Sequence, residues 1–373
     1  MKSWKIIGVA ALAATCGCGP KDGSRDFEKA KAAYAVHDLV KADKLFAAAL
    51  AVAPDDVDRL LYAARVKFDL GELDAAKELA ARAALSAEDD ADVILFGAQV
   101  AWHMREYRTA AAGFAALAND AKQPAEIRAQ AWVGLGLVEL SGNNSHLARI
   151  DFLRAMRLDR RNAAARYHLG LVYQDLGYHE AALEQFNAFV HLDEKASVRV
   201  QRVQQKTIPA LQESVARAAA ERPGVAKRDP AACAGAIAKA EAALKKNNVK
   251  SARTAYEEAL KADPLSYPAA LGLARAWEKS DATTAGQQKA FEAYRTACTL
   301  SPSAVKTFLA AGALSAKLGQ HAQAAEIYSR AVAASPTSLE AIDGLIRALR
   351  KTNRAKVAQA YQLYRDSIPV RRK

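Results

Sequence analysis

The stretch His168–Phe186, HLGLVYQDLGYHEAALEQF, carries a spacing that recurs along most of the chain. An anchor alanine is followed by an aromatic residue or alanine four positions on, then a small or apolar residue, then in several copies proline or an acid. The copies run Ala42-Phe46-Ala49-Pro54, Ala76-Ala80-Ala83-Glu88, Ala110-Phe114-Leu117, Ala148-Phe152-Ala155 and Ala182-Phe186. They resume as Ala252-Tyr256-Ala259-Pro264, Ala290-Tyr294-Ala297-Pro302 and Ala324-Tyr328-Ala331-Pro336, with a worn copy at Ala358. Successive anchors stand 34, 34, 38 and 34 residues apart, then, after a gap, 38, 34 and 34. Each copy reads as two short amphipathic helices broken at a turn residue such as Gly177. One hairpin cannot bury both its faces, so a fixed period of this length demands that copies stack.

Within the quoted copy, Leu169, Val172 and Tyr173 form the apolar stripe of the first helix. Gly170 is small enough to admit another helix, and Ala182 and Phe186 lie one turn apart on the inner face of the second. The prolines fall at one phase in four copies, each after a helix and before the next, where a missing N–H costs nothing. An unrelated helical bundle would share the 51% apolar composition but would not need that phase.

These residues resemble the tetratricopeptide repeat, whose pattern is Trp, two residues, Leu-Gly, later Ala-x3-Phe and finally Pro. Trp132, Leu135, Gly136, Ala148 and Phe152 follow it closely, with Glu139 where a tyrosine is usual. The resemblance implies an all-α superhelical solenoid of about nine helix-turn-helix repeats in two blocks. The expected division is a signal peptide at 1–17, a tether at 18–23, five repeats at 24–194, an irregular helical joint at 195–229, four repeats at 230–366 and a basic tail at 367–373. In the joint, the apolar positions on either side of Pro209 predict a long irregular hairpin. The two four-residue excesses are expected in turns, near AKQP at 121–124 and SDATTAG at 280–286.

The chain opens MKSWKIIGVAALAATCGC, with Lys2 and Lys5 before an apolar run from Ile6 to Ala14, the form of an export signal too short to span a bilayer. It resembles bacterial lipoprotein signals, which implies a palmitate-type lipid on Cys18, preceded by Gly17, in preference to Cys16. The expected location is the periplasm, with the protein lipid-anchored to the envelope membrane, the outer one before the inner. Net charge by segment is −4 for 1–194, +9 for 195–253, −1 for 254–346 and +8 for 347–373, so the stretch that opens with the joint and the C-terminal end hold all of the excess. Besides a solvated basic face, this suits anionic lipid headgroups or an acidic partner at the C-terminal end. No nucleic-acid motif accompanies it, so nucleic acid is not an expected partner.

An enzyme would show chemistry that repeats do not explain. The seven histidines include no zinc-type helical pair, no Gly-rich phosphate loop occurs, and no carboxylate pair stands out, so no catalytic residue, metal site or cofactor is expected. His168 and His179 are expected to cap helices or line surfaces.

By the phase of the family, successive first helices line a groove. Its expected partner-binding residues are Phe27, Tyr34, Arg65, Phe68, Gln99, Trp102, His103, Tyr167 and Gln174 in the first block, and Arg347, Arg350 and Lys351 in the last. Leu61 and Leu95 fall at the same phase. The aromatic wall suits an extended or helical polypeptide and the basic wall suits acidic groups. The reading is a non-catalytic protein-interaction scaffold of the bacterial cell envelope, of the class that assists pilus secretins, outer-membrane insertion or polysaccharide export. The alternative is direct binding of cell-wall glycan or polysaccharide on the aromatic rings.

Overall fold

The computed structural model describes residues 23–192, 198–221, 228–280 and 283–369. The expected signal peptide, Cys18, most of the tether and the last residues of the basic tail lie outside these. Among the described residues the chain is helical with no strand. Most of the helices pair as the period requires. They are α1 (Ser24–Ala35) with α2 (Leu39–Val52), α3 (Val57–Asp69) with α4 (Leu73–Ser86), and α5 (Ala91–His103) with α6 (Tyr107–Asn119). Next come α7 (Ala125–Ser141) and α8 (Ser145–Leu158), then α9 (Ala163–Asp175) with α10 (His179–Leu192). After α11 (Val198–Arg202) and α12 (Ile208–Ala220), α13 (Pro230–Lys245) pairs with α14 (Val249–Ala262) and α15 (Tyr267–Ser280) with α16 (Thr284–Leu300). The last pairs are α17 (Val305–Lys317) with α18 (His321–Ala334), and α19 (Leu339–Lys351) with α20 (Ala355–Asp366).

One backbone conformation builds the hairpin turn. Five residues before the anchor alanine stands a left-handed residue: His37, Gly71, Arg105, Asn143, Gly177, Asn247, Gly319 or Asn353, with φ between 54° and 86°. It reverses the chain after the first helix and carries an N–H back to that helix's open carbonyls, as Gly177 N–H does to Gln174 O at 3.1 Å. Most first helices then start on a side-chain cap: Asp56, Asp90, Asn162 and Ser338 each accept a backbone N–H of the following turn. Pro54, Pro264, Pro302 and Pro336 sit between hairpins, as expected.

The anchor residues are the core. Ala42, Phe46, Ala49, Ala148, Phe152, Ala155, Ala182 and Phe186 are all fully buried. A side chain at Gly170 would put its Cβ 2.8 Å from the Phe186 ring, so the glycine is where that ring lies down. The same contact recurs with Gly134 under Phe114, Gly272 under Tyr256, and Gly312 and Gly344 under Tyr328. Leu169, Val172 and Tyr173 are buried beside it, as their spacing predicts.

Three expectations change. The first four-residue excess does not sit in the 121–124 turn: α7 has 17 residues where α3, α5 and α9 have 13. Four residues are close to one helical turn, so the added turn lengthens the helix while its buried stripe keeps its face. α16 is likewise 17 residues long beside second helices of 14. In the joint, Pro209 does not break a hairpin. A π-helical turn, Val203–Thr207, joins α11 to α12 without a break and places Pro209 in the first turn of α12, directly after the irregular turn. Val200, Val203, Ile208 and Leu211 are buried in this bent helix, which packs on α10.

The chain forms two compact units. One runs to Asn144 and includes Ala155–Arg160; the other holds Ser145–Arg154 and continues from Arg161. The segment read as a joint lies inside the second unit.

Candidate functional site

In the first unit, the first helices present a ladder of rings and cations. On α1, Phe27 meets Tyr62 of α3 edge-on at 5.6 Å, and Tyr34 meets the same ring at 6.4 Å. The Tyr34 hydroxyl donates to Asp69 at 2.8 Å. Lys31 stands 4.9 Å over Phe27, and Arg65 lies over both Tyr62, at 5.6 Å, and Phe96 of α5, at 5.9 Å. Phe68 then meets Phe96 at 5.8 Å and His103 at 4.6 Å, and His103 meets Trp102 at 4.7 Å. The ladder ends on α7, where the Trp102 indole N–H donates to Ser141 Oγ at 3.2 Å. His103 Nδ1 lies 3.0 Å from the Gln99 carbonyl oxygen, so Gln99 holds the ring upright with its backbone and keeps its amide free of that bond.

The structure therefore brings together Phe27, Tyr34, Arg65, Phe68, Gln99, Trp102 and His103, all half-buried except the exposed His103. Half-burial suits recognition: each ring packs against its core cluster and keeps part of its surface accessible. Two expected groove residues do not belong. Leu61 and Leu95 are 4% and 5% exposed and pack inside the core clusters of their repeats, because that position faces the following second helix. Tyr62, half-buried one residue further on, carries the ladder instead, and it leans on Phe96, itself a buried core ring. Their signal in the sequence was an aromatic at the same offset, 14 residues before the anchor alanines Ala76 and Ala110.

In the second unit, Tyr167 is not an open groove residue. Arg199 of α11 stacks over its ring at 4.9 Å, and Phe189 and His168 meet it at 5.3 and 5.1 Å. His168 does not cap a helix or line the surface: it stacks on Phe152 at 5.6 Å, and burial followed by Arg199 lowers its pKa to about 4. Gln174 is exposed. Arg347, Arg350 and Lys351 are exposed on the last turns of α19, opposite the buried Ile342, Leu345, Ile346 and Leu349. Arg350 donates to Gln362 at 3.2 Å, while the three cations share one side of the helix.

Among the described residues no cluster of three or more His, Cys, Asp or Glu is placed to hold a metal ion. No described helix is long and apolar enough to cross a membrane. Cys233 of α13 and Cys298 of α16 are both free and buried, and burial pushes the Cys298 thiol up to about 12.

Family models of the tetratricopeptide repeat match residues 163–195, which are α9 and α10, and residues 237–305, from α13 into α17. No curated protein matches the chain significantly. Solved structures similar to it include MamA, at 19% identity over 47% of this chain and 93% of that one, with a TM-score of 0.37. MamA of Desulfovibrio magneticus RS-1 gives 17% identity over 48% and 99%, with a TM-score of 0.39. PilF of Pseudomonas aeruginosa gives 14% over 67% and 95%, with a TM-score of 0.41. Likeness at this level carries no partner or pathway over to this chain. The repeat itself is a protein-interaction scaffold and typically a non-catalytic one. The family's models thus match two separate stretches, which carry tetratricopeptide repeats, and the same hairpin, left-handed turn and ring-on-glycine contact recur outside them.

Proposed function

We propose that the protein is a lipid-anchored scaffold of a bacterial envelope whose first unit holds a segment of a partner polypeptide along α1, α3, α5 and α7. The observation that carries this reading is the ladder from Phe27 to Trp102, a run of ring faces and cations longer than a core requires. Flat aromatic surface with Arg and Lys between the rings suits a peptide that lays apolar side chains against rings and its acidic groups against Lys31 and Arg65. The anchor reading is supported by the basic and apolar N-terminal run that ends at Cys18.

Site-specific photo-crosslinking tests it. A photoreactive residue at Gln99, on the ladder, is expected to capture a discrete polypeptide from membranes of the native host. The same residue at Leu85, exposed on the second helix α4, is expected to capture none. Equal capture from both positions, or none from Gln99, contradicts the reading.

A further inference from the structure

The second unit contains a cleft of about 750 Å³ among α8, the α9–α10 turn, α18, α19 and α20, a volume typical of small-ligand sites. At its base is Arg149, the residue after the anchor Ala148, which is 0% exposed. A guanidinium so deep is ordinarily paired with a carboxylate. Here its bonds go to neutral oxygens: the Tyr361 hydroxyl accepts from Nε at 2.8 Å and from Nη2, and the Ser329 carbonyl accepts from Nη1 at 3.3 Å. Arginine has five N–H groups, so one on each terminal nitrogen has no acceptor among the described residues.

The hydroxyls around it are in the same position. Tyr361 accepts twice from Arg149, which leaves its own proton without an acceptor. Ser329 Oγ accepts the Tyr178 proton at 3.1 Å, and its own proton is likewise unplaced. The Tyr173 hydroxyl, whose ring lies 6.2 Å from that of Tyr178, is buried with no partner. The carboxylate on the wall, Glu326, pairs with Arg330 at 3.0 Å. His146 also lines the cleft and stays neutral at pH 7, since burial, then Arg149 and Arg354, lower its pKa to about 4. The cleft thus gathers donors and positive charge around Arg149, and its one lining carboxylate, Glu326, is paired with Arg330.

We propose that this cleft binds a ligand bearing an aliphatic carboxylate, with Arg149, Tyr361 and Ser329 as donors and Leu176, Leu345 and Leu349 against its hydrocarbon. Charge balance selects the class: one buried guanidinium matches one negative charge, and the planar fork fits a carboxylate. Apolar walls beside the donors favour a carbon chain over a hydrated phosphate. The site is independent of the ladder in the first unit.

Calorimetric titration of the full chain tests this with four probes: hexanoate, a tetrapeptide Ac-Ala-Ala-Ala-Leu with a free carboxylate, its carboxamide twin, and inorganic phosphate. Binding of hexanoate or the free-acid peptide, without binding of the amide or phosphate, supports the proposal, and which acid binds identifies a small acid or a peptide terminus. Arg149→Met, which removes an uncompensated buried charge, is expected to melt no lower than the parent chain and to bind at least about tenfold more weakly. Arg354→Ala alters an exposed residue at the rim, leaves folding intact and is expected to weaken binding severalfold at low salt. If Arg149→Met does not fold, Arg354→Ala decides. The proposal is overturned if neither acid binds, if the amide or phosphate binds as well, or if a folded variant keeps full affinity.

Discussion

Phe186 and Gly170 define the repeat at the scale of single residues. The ring is fully buried and occupies the space a Cβ at Gly170 would need. Phe186→Ala is expected to cost about 3–5 kcal/mol, measured by urea unfolding. A curve that overlays the parent's would mean the ring does not fill the interface. His168 links stability to pH. Its pKa falls from 6.5 to about 4 on folding, so its neutral form belongs to the folded state. Stability is full above pH 6.5 and declines as pH falls toward 4, by up to about 3 kcal/mol from this residue. His168→Phe is expected to flatten the urea midpoint between those pH values, and an unchanged slope would contradict the assignment. The burial of Phe186 follows from its spacing, and so does that of Ala182. The covering of Tyr167 by Arg199 does not, because it depends on where the irregular helix after α10 turns back, and no repeat pattern encodes that.

Among elements, the hairpin turn carries the strongest conformational demand. Gly71 has φ +86° with open space around the position a Cβ would take, so Gly71→Ala tests the backbone alone. It is expected to cost about 1 kcal/mol. Arg105 holds the equivalent place at φ 62° with a side chain, and Arg105→Gly is expected to gain a few tenths to about 1 kcal/mol by relieving that strain, less the added freedom of the unfolded chain. Both shifts are read from denaturant midpoints, and opposite signs would show that the turn is not strained there. Gly177 announces the turn in the sequence, whereas Arg105 conceals it, since arginine does not favour φ above zero. The lengths of α7 and α16 were hidden for another reason. A four-residue excess fits either a loop or one more helical turn, and period alone does not distinguish them. The π-helical turn before Pro209 is equally silent, because its register is set by packing on α10.

For the whole molecule, repeat number and hairpin order were legible from the 34-residue period. The division into units was not, because it depends on contacts far apart in sequence, such as Arg149 with Tyr361. The ladder was legible in part: phase selected Phe68 and Trp102, but a one-residue error in facing put Leu61 in place of Tyr62, and Leu95 is a core residue. Anchoring is tested by fractionation. Cys18→Ser is expected to move the protein from membranes to the soluble fraction and abolish palmitate labelling, whereas retained labelling would assign the lipid elsewhere.

The most direct test of the ladder compares Trp102→Ala with Phe114→Ala, recording melting temperature and the amount of crosslinked partner per folded molecule. Trp102 is half-buried and packs on the cluster that contains Phe114, which is 2% exposed. Phe114→Ala is expected to lower the melting temperature the more, with capture per folded molecule unchanged. Trp102→Ala is expected to cut capture about tenfold or more at a smaller loss of stability. Capture by Trp102→Ala that matches the parent chain once unfolding is accounted for would contradict the account.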